Sequence, residues 1–248
     1  MGSRRFARVA GRRSRSGGGF GGSVLSQRPP LPSVAVEYWH GELGASSANA
    51  VGQIQGITLP GQNTPLVAPD PGFFNGRAVY QASTSGNKCW LGSSLATVLA
   101  SGTRPWVFAI GRWRTAPGAA NQRMSGAGRT GSSDDMEINL TAGNVRQVFS
   151  SSGLCTASDG SGDTAVHRFK AWTAGTTANF TVDASNSTGT GANALPGNIT
   201  GVAIGCSSGG LSNVGDVSVA FYLLCSAKPS AAEEAALDAW AIAYWGSN

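Results

Sequence analysis

Charged residues are scarce in this sequence, and long hydrophobic runs are absent from it. Only 12% of the 248 residues are charged. Seven Trp and nine Phe nevertheless supply apolar material for a packed core, which excludes disorder along the whole chain. Because no run of about 18 apolar residues occurs, no membrane-spanning helix is expected. No apolar stretch follows the basic N-terminus, so no secretory signal peptide is expected either.

Cysteine and histidine are also few, which argues against metal and nucleophile chemistry. The four Cys residues are Cys89, Cys155, Cys206 and Cys225. They form no Cys-x-x-Cys pair, so no zinc site is predicted, and the thiols are expected to be reduced or buried. His40 and His167 are the two histidines, and no Gly-x-Ser-x-Gly elbow accompanies them. The sequence therefore predicts no catalytic residues, no metal and no cofactor, and indicates that the chain is not an enzyme.

Basic charge is concentrated at the N-terminus. Six arginines lie within the first 15 positions: Arg4, Arg5, Arg8, Arg12, Arg13 and Arg15. Arg28 is the seventh arginine of residues 1–28, which contain no acidic residue. Residues 29–248 therefore hold 11 basic and 13 acidic residues, a net charge of −2, whereas the whole chain carries +5. Gly and Ser fill much of residues 1–28, and such a segment cannot bury enough apolar surface to order itself. We predict a flexible arm over residues 1–28 and a near-neutral domain over residues 29–248.

Two functions fit such an arm, and a solvated tail without a function is the remaining alternative. It could dock along a neighbouring subunit and become ordered there, with its arginines paired to carboxylates. It could instead neutralise the phosphates of a nucleic acid, and binding would then weaken steeply as salt rises. The domain itself shows no basic patch in its sequence, which favours docking over genome binding.

The domain alternates short apolar runs with Gly-, Ser- and Asn-rich punctuation, which is the pattern of an all-β fold. Strands are predicted at residues 34–39, 77–82, 106–113, 135–141, 145–150, 166–172, 179–183, 199–204 and 217–225. So many strands with no helices between them favour antiparallel sheets packed face to face. In the last strand, Val217, Val219, Phe221, Leu223 and Cys225 are predicted to share one core face.

One helix is predicted, over residues 230–245. Ser230 and Glu233 form a capping box directly after a proline. An apolar stripe follows, made of Leu237, Trp240, Ala241 and Tyr244. Gly246 suits the position after the helix. We expect this helix to pack its stripe on the sandwich and to close the domain.

Three motifs follow one another along the domain. They are Asn75-Gly76-Arg77-Ala78-Val79-Tyr80, then Arg104-Pro105-Trp106-Val107-Phe108, then Pro229-Ser230 with two Glu and a helix that ends Tyr244-Trp245-Gly246. This progression, over roughly residues 34–246, resembles the concanavalin A-like (laminin-G-like) jelly-roll domains of tailed-bacteriophage virion proteins. The resemblance implies an antiparallel two-sheet jelly-roll sandwich with one C-terminal α-helix, used for assembly or recognition.

Two sets of carboxylates are candidate sites. Glucanases related to such jelly rolls use a Glu-x-Asp-x-x-Glu strand, and Asp135 with Glu137 comes nearest to it. The third carboxylate is missing, and Asn139 follows Asp135 and Glu137 on the same face of the predicted strand. A solvated polar face is therefore the favoured interpretation. Asp159 and Asp163 are weak candidates for a calcium loop, but a plain Gly/Asp turn is favoured there.

Exposed tryptophans could stack on sugar rings. Trp39, Trp90 and Trp113 lie at predicted strand ends and are the candidates for such stacking. Filling of the sandwich core by these large side chains is the favoured alternative.

These observations predict a non-enzymatic structural protein of a bacteriophage virion. The first expectation is a capsid decoration (cement) protein, anchored to neighbouring subunits by its N-terminal arm. The alternatives are a tail or fibre component with a lectin-like domain, a coat protein whose arm binds packaged genome, and a carbohydrate-binding module. The expected partners are other virion proteins and further copies of this chain, in the virion, with no membrane.

Overall fold

The computed structural model describes most of the domain predicted from the sequence. The described residues are 28–44, 48–92, 105–115, 121–128, 135–149, 156–191 and 199–247. Of the predicted arm they include Arg28 alone, so the predictions for Arg4, Arg5, Arg8, Arg12, Arg13 and Arg15 lie outside the described residues. Cys155 lies outside them as well.

Within these residues the chain forms sixteen β-strands, one 3-10 turn at Phe74–Gly76 and one α-helix, α1, at Ala231–Trp245. The strands are β1 (Ala35–His40), β2 (Asn49–Val51), β3 (Thr58–Gln62), β4 (Leu66–Pro69), β5 (Ala78–Ala82), β6 (Cys89–Leu91), β7 (Trp106–Trp113), β8 (Gln122–Gly128), β9 (Asp135–Leu140), β10 (Val145–Phe149), β11 (Ala157–Ser161), β12 (His167–Ala174), β13 (Thr177–Val182), β14 (Ser185–Thr190), β15 (Gly201–Ile204) and β16 (Val217–Cys225). All nine strands predicted from the sequence are present, and β7 and β16 have the predicted bounds.

The strands form two antiparallel sheets. The first has the order β14-β13-β12-β7-β16-β5-β4, and β1 also pairs with β16. The second has the order β11-β10-β9-β8-β15-β6-β3-β2. Each sheet has one apolar face turned toward the other, as face-to-face packing of two sheets requires. The antiparallel sandwich predicted from the sequence is therefore confirmed.

The molecule has a second core, on the outer face of the first sheet. There α1 packs its apolar stripe on β7 and β16, and Trp240, Tyr244 and Trp245 lie against Phe221 and His40. The capping box predicted at the start of α1 is present, and Gly246 has the left-handed backbone that ends the helix. Within the described residues no helix has the length and apolar character needed to cross a membrane.

The strand β16 divides its side chains between the two cores in a way that the sequence pattern missed. A bulge between Val219 and Phe221 adds one residue to the strand. Val217 and Val219 therefore face the core between the sheets, whereas Phe221, Leu223 and Cys225 face α1. The single face predicted for these five residues is wrong beyond the bulge, although all five are buried.

Candidate functional site

The N-terminal cavity is a depression of about 520 Å³ beside the point where the chain enters the domain. It is lined by Arg28, Pro29, Leu31, Tyr38, Leu43 and Gln53. These residues come from three segments: the stretch before β1, β1 with the turn after it, and the loop between β2 and β3. A volume of this size falls in the range of small-molecule and side-chain pockets.

A buried carboxylate holds one of the loops that line this cavity. Glu37 is fully buried in β1, and its oxygens accept hydrogen bonds from the backbone N–H of Ile54 at 2.9 Å and of Gln55 at 2.8 Å. The N–H of Gln53 donates to the backbone oxygen of Tyr38 at 3.1 Å. Because a buried carboxylate must be satisfied, these bonds hold the loop between β2 and β3 against β1.

The rim of the cavity is apolar and exposed. Leu31 and Leu43, which line the cavity, expose 38% and 41% of their surface, and Ile54, which follows the lining residue Gln53, exposes 46%. Tyr38 is buried behind them, with its ring 5.7 Å from that of Phe221. Large aliphatic side chains grouped on a surface mark interaction sites more often than scattered ones do. No periodic pattern in the sequence marks this group, because its members lie in loops.

A second polar cluster, the histidine clasp, surrounds His167 at the start of β12. Its Nδ1 lies 2.6 Å from Oδ2 of Asp183, and its Nε2 lies 2.7 Å from Oδ1 of Asp163. Arg146 on β10 brings Nη1 to 3.0 Å from His167 Nε2 and Nη2 to 3.3 Å from Oδ2 of Asp159. Since β10 and β12 belong to different sheets, the clasp joins the two sheets.

The clasp sets the charge of its members. Burial disfavours a charged His167, but the hydrogen bonds with Asp183 and Asp163 outweigh burial and raise its pKa above the usual 6.5. Burial also opposes ionisation of the two carboxyl groups, yet the hydrogen bond with His167 lowers the pKa of Asp163 and of Asp183. These contacts stabilise the charged form of His167 and the ionised forms of Asp163 and Asp183 relative to their neutral forms.

Asp159 and Asp163, the weak calcium candidates, are taken up by this network. Asp159 accepts a hydrogen bond from Ser185 at 2.8 Å and pairs with Arg146, while Asp163 binds His167. Among the described residues no group of three or more His, Cys, Asp or Glu is arranged to hold a metal ion. The second histidine, His40, is buried among the aromatic rings under α1, and burial lowers its pKa to about 4.

The carboxylates considered for glycoside hydrolysis lie on β9. Glu137 is buried and pairs with Nε of Arg123 on the neighbouring strand β8. The backbone of Asp135 pairs with that of Gly128. Asn139, on the same face as Glu137, is 1% exposed. The solvated face predicted for this strand is therefore wrong, because Glu137 and Asn139 are covered.

The three tryptophans proposed to stack on sugars are all in the core between the sheets. Trp39, Trp90 and Trp113 are fully buried. Trp39 donates its Nε1 hydrogen to the backbone oxygen of Ile57 at 3.2 Å, and Trp90 packs edge-on against Tyr80 at 5.1 Å. None of the three offers a face to a ligand, so the stacking hypothesis is wrong for these residues and the core alternative holds.

Comparison with known proteins identifies the fold of this chain but does not identify its family. No protein-family model matches the chain, and no relative is found among curated proteins. A sialidase from Trypanosoma rangeli superposes with a TM-score of 0.55 at 14% identity, over 86% of this chain and 33% of that one. A mutant of this sialidase that displays trans-sialidase activity gives 0.57 at 13%, over 87% and 34%. A protein described as an HCR/D mutant gives 0.55 at 9%, over 86% and 55%.

These matches confirm a concanavalin A-like β-sandwich of the kind found within sialidases. The chain spans about a third of the length of those sialidases, and at such low identity the likeness shows the fold alone. The prediction that the chain is not an enzyme, which rested on the absence of a recognisable catalytic motif, is contradicted, because the same fold occurs in a sialidase and in a mutant of it that displays trans-sialidase activity.

Proposed function

We propose that this chain is a structural protein of a bacteriophage virion that decorates the capsid. In this proposal the sandwich lies on a neighbouring subunit, and two features attach it. One is the Arg-rich segment that precedes Arg28. The other is the rim of the N-terminal cavity, which is formed by Leu31 and Leu43 and continued in sequence from Gln53 by the exposed Ile54.

The observation that carries this proposal is the position of the apolar rim. Arg28 and Pro29 line the same cavity as the exposed Leu31 and Leu43, so the residue that follows the Arg-rich segment in the chain lies beside an exposed aliphatic surface. A partner that grips the segment would also meet the three aliphatic side chains. Burial of such side chains contributes about 25 cal/mol per Å² of apolar surface removed from water.

The charge distribution supports a protein partner over a packaged genome. Residues 29–248 carry a net charge of −2, so the domain offers no excess of positive charge to a polyanion. Arginines pair bidentately with carboxylates, which makes an acidic surface of a neighbouring subunit a suitable acceptor for the segment.

Particle incorporation tests this proposal. The full-length chain, a chain without residues 1–27, a Leu43→Asp variant and a Leu211→Asp variant would each be produced in a host that assembles the particles. Leu211 is 40% exposed, close to the 41% of Leu43, and does not line the cavity, so it is the matched control. We expect the full chain and Leu211→Asp to copurify with particles, and the other two to remain in the soluble fraction.

Two outcomes would overturn the attachment. Normal incorporation of the shortened chain would remove the role of the arm, and normal incorporation of Leu43→Asp would remove that of the rim. Particles that lack the full-length chain would remove the virion proposal itself. Nucleic acid that copurifies with the pure protein and is released steeply by salt would favour the coat-protein alternative.

A second candidate function is recognition of an acidic sugar by a lectin-like domain of a tail or fibre. One of the matching structures is the Trypanosoma rangeli sialidase in complex with sialic acid, and the N-terminal cavity offers Arg28 and Gln53 beside apolar residues. A guanidinium is suited to a sugar carboxylate. Titration with sialic acid, with glucose as the uncharged control, tests this candidate. Binding that survives Arg28→Gln and Gln53→Ala would exclude this cavity, and no binding would exclude the candidate.

A further inference from the structure

Cys89 and Cys206 place two thiols side by side in the core between the sheets. Cys89 begins β6, and Cys206 follows the neighbouring strand β15, on which Ile204 lies opposite Trp90. Both cysteine side chains are fully buried. The Sγ of Cys206 lies 3.8 Å from the backbone oxygen of Trp90, and the two thiols are hydrogen-bonded to each other.

The backbone between the two strands explains this contact. Gly205 has a φ of +84°, so the chain turns sharply at the end of β15. A Cβ placed on Gly205 would lie 3.5 Å from the Cβ of Cys89, which shows how closely the turn approaches β6. Cys206 follows this turn directly, and its Sγ contacts the thiol of Cys89 and the backbone oxygen of Trp90, the residue after Cys89.

We propose that Cys89 and Cys206 are an oxidation site. They form a disulfide with each other, and a small-molecule disulfide such as oxidised glutathione is the oxidant. The thiolate of one cysteine attacks the glutathione disulfide, forming a mixed disulfide and releasing one glutathione thiolate. The thiolate of the second cysteine then attacks the protein sulfur of the mixed disulfide and releases the second glutathione. Two protein thiols and one oxidised glutathione become one protein disulfide and two reduced glutathiones.

The site is protected once the domain has folded. The hydrogen bond with Cys89, together with burial, raises the pKa of Cys206, so the folded protein holds little of the reactive thiolate. Full burial also keeps glutathione away from both sulfurs. The disulfide is therefore expected to form while the chain folds, and slowly or not at all in the folded protein.

Refolding in a glutathione buffer tests the inference. The full chain would be unfolded with reductant, refolded with a mixture of reduced and oxidised glutathione, denatured and alkylated, and then analysed by intact mass and by peptide mapping. We expect two of the four cysteines to escape alkylation, and a linked peptide that contains Cys89 and Cys206. The oxidised protein should melt roughly 10 °C above the reduced one, because the bond closes a long loop.

Cys225 supplies the matched control. It is also fully buried, and burial raises its pKa to about 12, but it lies in the other core, under α1. The Cys225→Ser variant should keep the linked peptide, and Cys89→Ser or Cys206→Ser should lose it. Alkylation of all four cysteines after refolding, or a link that joins Cys155 or Cys225, would overturn the inference. The peptide map of the wild-type chain tests the inference even if a variant fails to fold.

Discussion

The imidazole of His167 and the carboxylate of Asp183 are joined by a hydrogen bond of 2.6 Å between Nδ1 and Oδ2. The other oxygen of Asp183 accepts the backbone N–H of Arg168 at 2.9 Å, which fixes the carboxylate in place. On its far side His167 meets Asp163 and Arg146, from the preceding turn and from the opposite sheet. The protonation state of one ring therefore affects how firmly the two sheets are joined at this point.

We predict that His167→Gln removes a pH-dependent part of the stability. The pKa of His167 is raised in the folded state, so its contribution is complete below about pH 6.5 and is lost as pH rises through the folded-state pKa. The pKa values of Asp163 and Asp183 are lowered, so their contribution is lost as pH falls below about 3.8. The difference in unfolding free energy between wild type and variant should be about 2 kcal/mol near pH 5 and smaller near pH 8.

Urea unfolding at a series of pH values measures this difference. Asp183→Asn should lower the unfolding free energy about as much as His167→Gln does, because the Asp183 side chain is only 21% exposed. Asp163→Asn should lower it less, because the Asp163 side chain is 52% exposed and its ion pair is screened by solvent. A difference that stays constant from pH 5 to pH 8 would show that His167 acts through packing alone.

The buried pair of Arg123 and Glu137 gives a second prediction. Glu137→Gln removes one charge and leaves the Arg123 guanidinium uncompensated in the interior, which should cost about 3–5 kcal/mol. The double variant Arg123→Met with Glu137→Leu should recover much of this loss. Lys228→Ala is the control, because Lys228 is 46% exposed and its pairing with Glu234 should be worth about 1 kcal/mol or less. Thermal unfolding measures all three, and equal losses in the single and double variants would contradict the argument.

Several of the strands that the sequence did not predict have little apolar character. β14 has the sequence SNSTGT and β11 has ASDGS, and both lie at the outer edges of their sheets. An edge strand with exposed faces needs no apolar alternation, so only its pairing with β13 or β10 reveals it. β8, with the sequence QRMSGAG, is buried in the middle of a sheet, where small residues fit beneath the turn at Ser207.

The alternation of apolar residues also could not show which core a side chain enters, because this domain has two cores. The alternation in β7 places Trp106, Phe108 and Ile110 on one face, and that face is covered by α1. In β16 the bulge at Ala220 exchanges the two faces in mid-strand. The candidate site was missed for a similar reason, since Leu31, Leu43 and Gln53 come together only through the fold.

We predict that Gly205→Ala is strongly destabilising and that Gly56→Ala is not. Both glycines have positive φ, +84° and +74°, so both variants bear a left-handed backbone cost of about 1–2 kcal/mol. A Cβ on Gly205 would collide with the Cβ of Ala82, whereas one on Gly56 meets nothing within 4 Å. Chemical unfolding should show Gly205→Ala losing clearly more than Gly56→Ala. Equal losses would mean that the turn after β15 can move away from β5.

The last prediction concerns the link between α1 and the segment that carries the N-terminal cavity. Glu233 accepts the backbone N–H of Ser33 at 2.7 Å through Oε1 and that of Ser230 at 2.9 Å through Oε2. The bond from Ser33, with those from Ser230, lowers the pKa of Glu233 to about 2, so the carboxylate is charged throughout the neutral range. Glu233→Ala should therefore release residues 28–34 from the helix.

Hydrogen exchange at the amide of Ser33 measures this release. The amide should exchange faster in Glu233→Ala than in wild type, because its acceptor is gone. Ser230→Ala weakens the helix cap but leaves the acceptor of Ser33 in place, so it should leave that amide protected. If the proposed attachment depends on an ordered approach to the cavity, Glu233→Ala should also reduce particle incorporation, and Ser230→Ala should not. Fast exchange of Ser33 in the wild type would show that the bond is not maintained in solution.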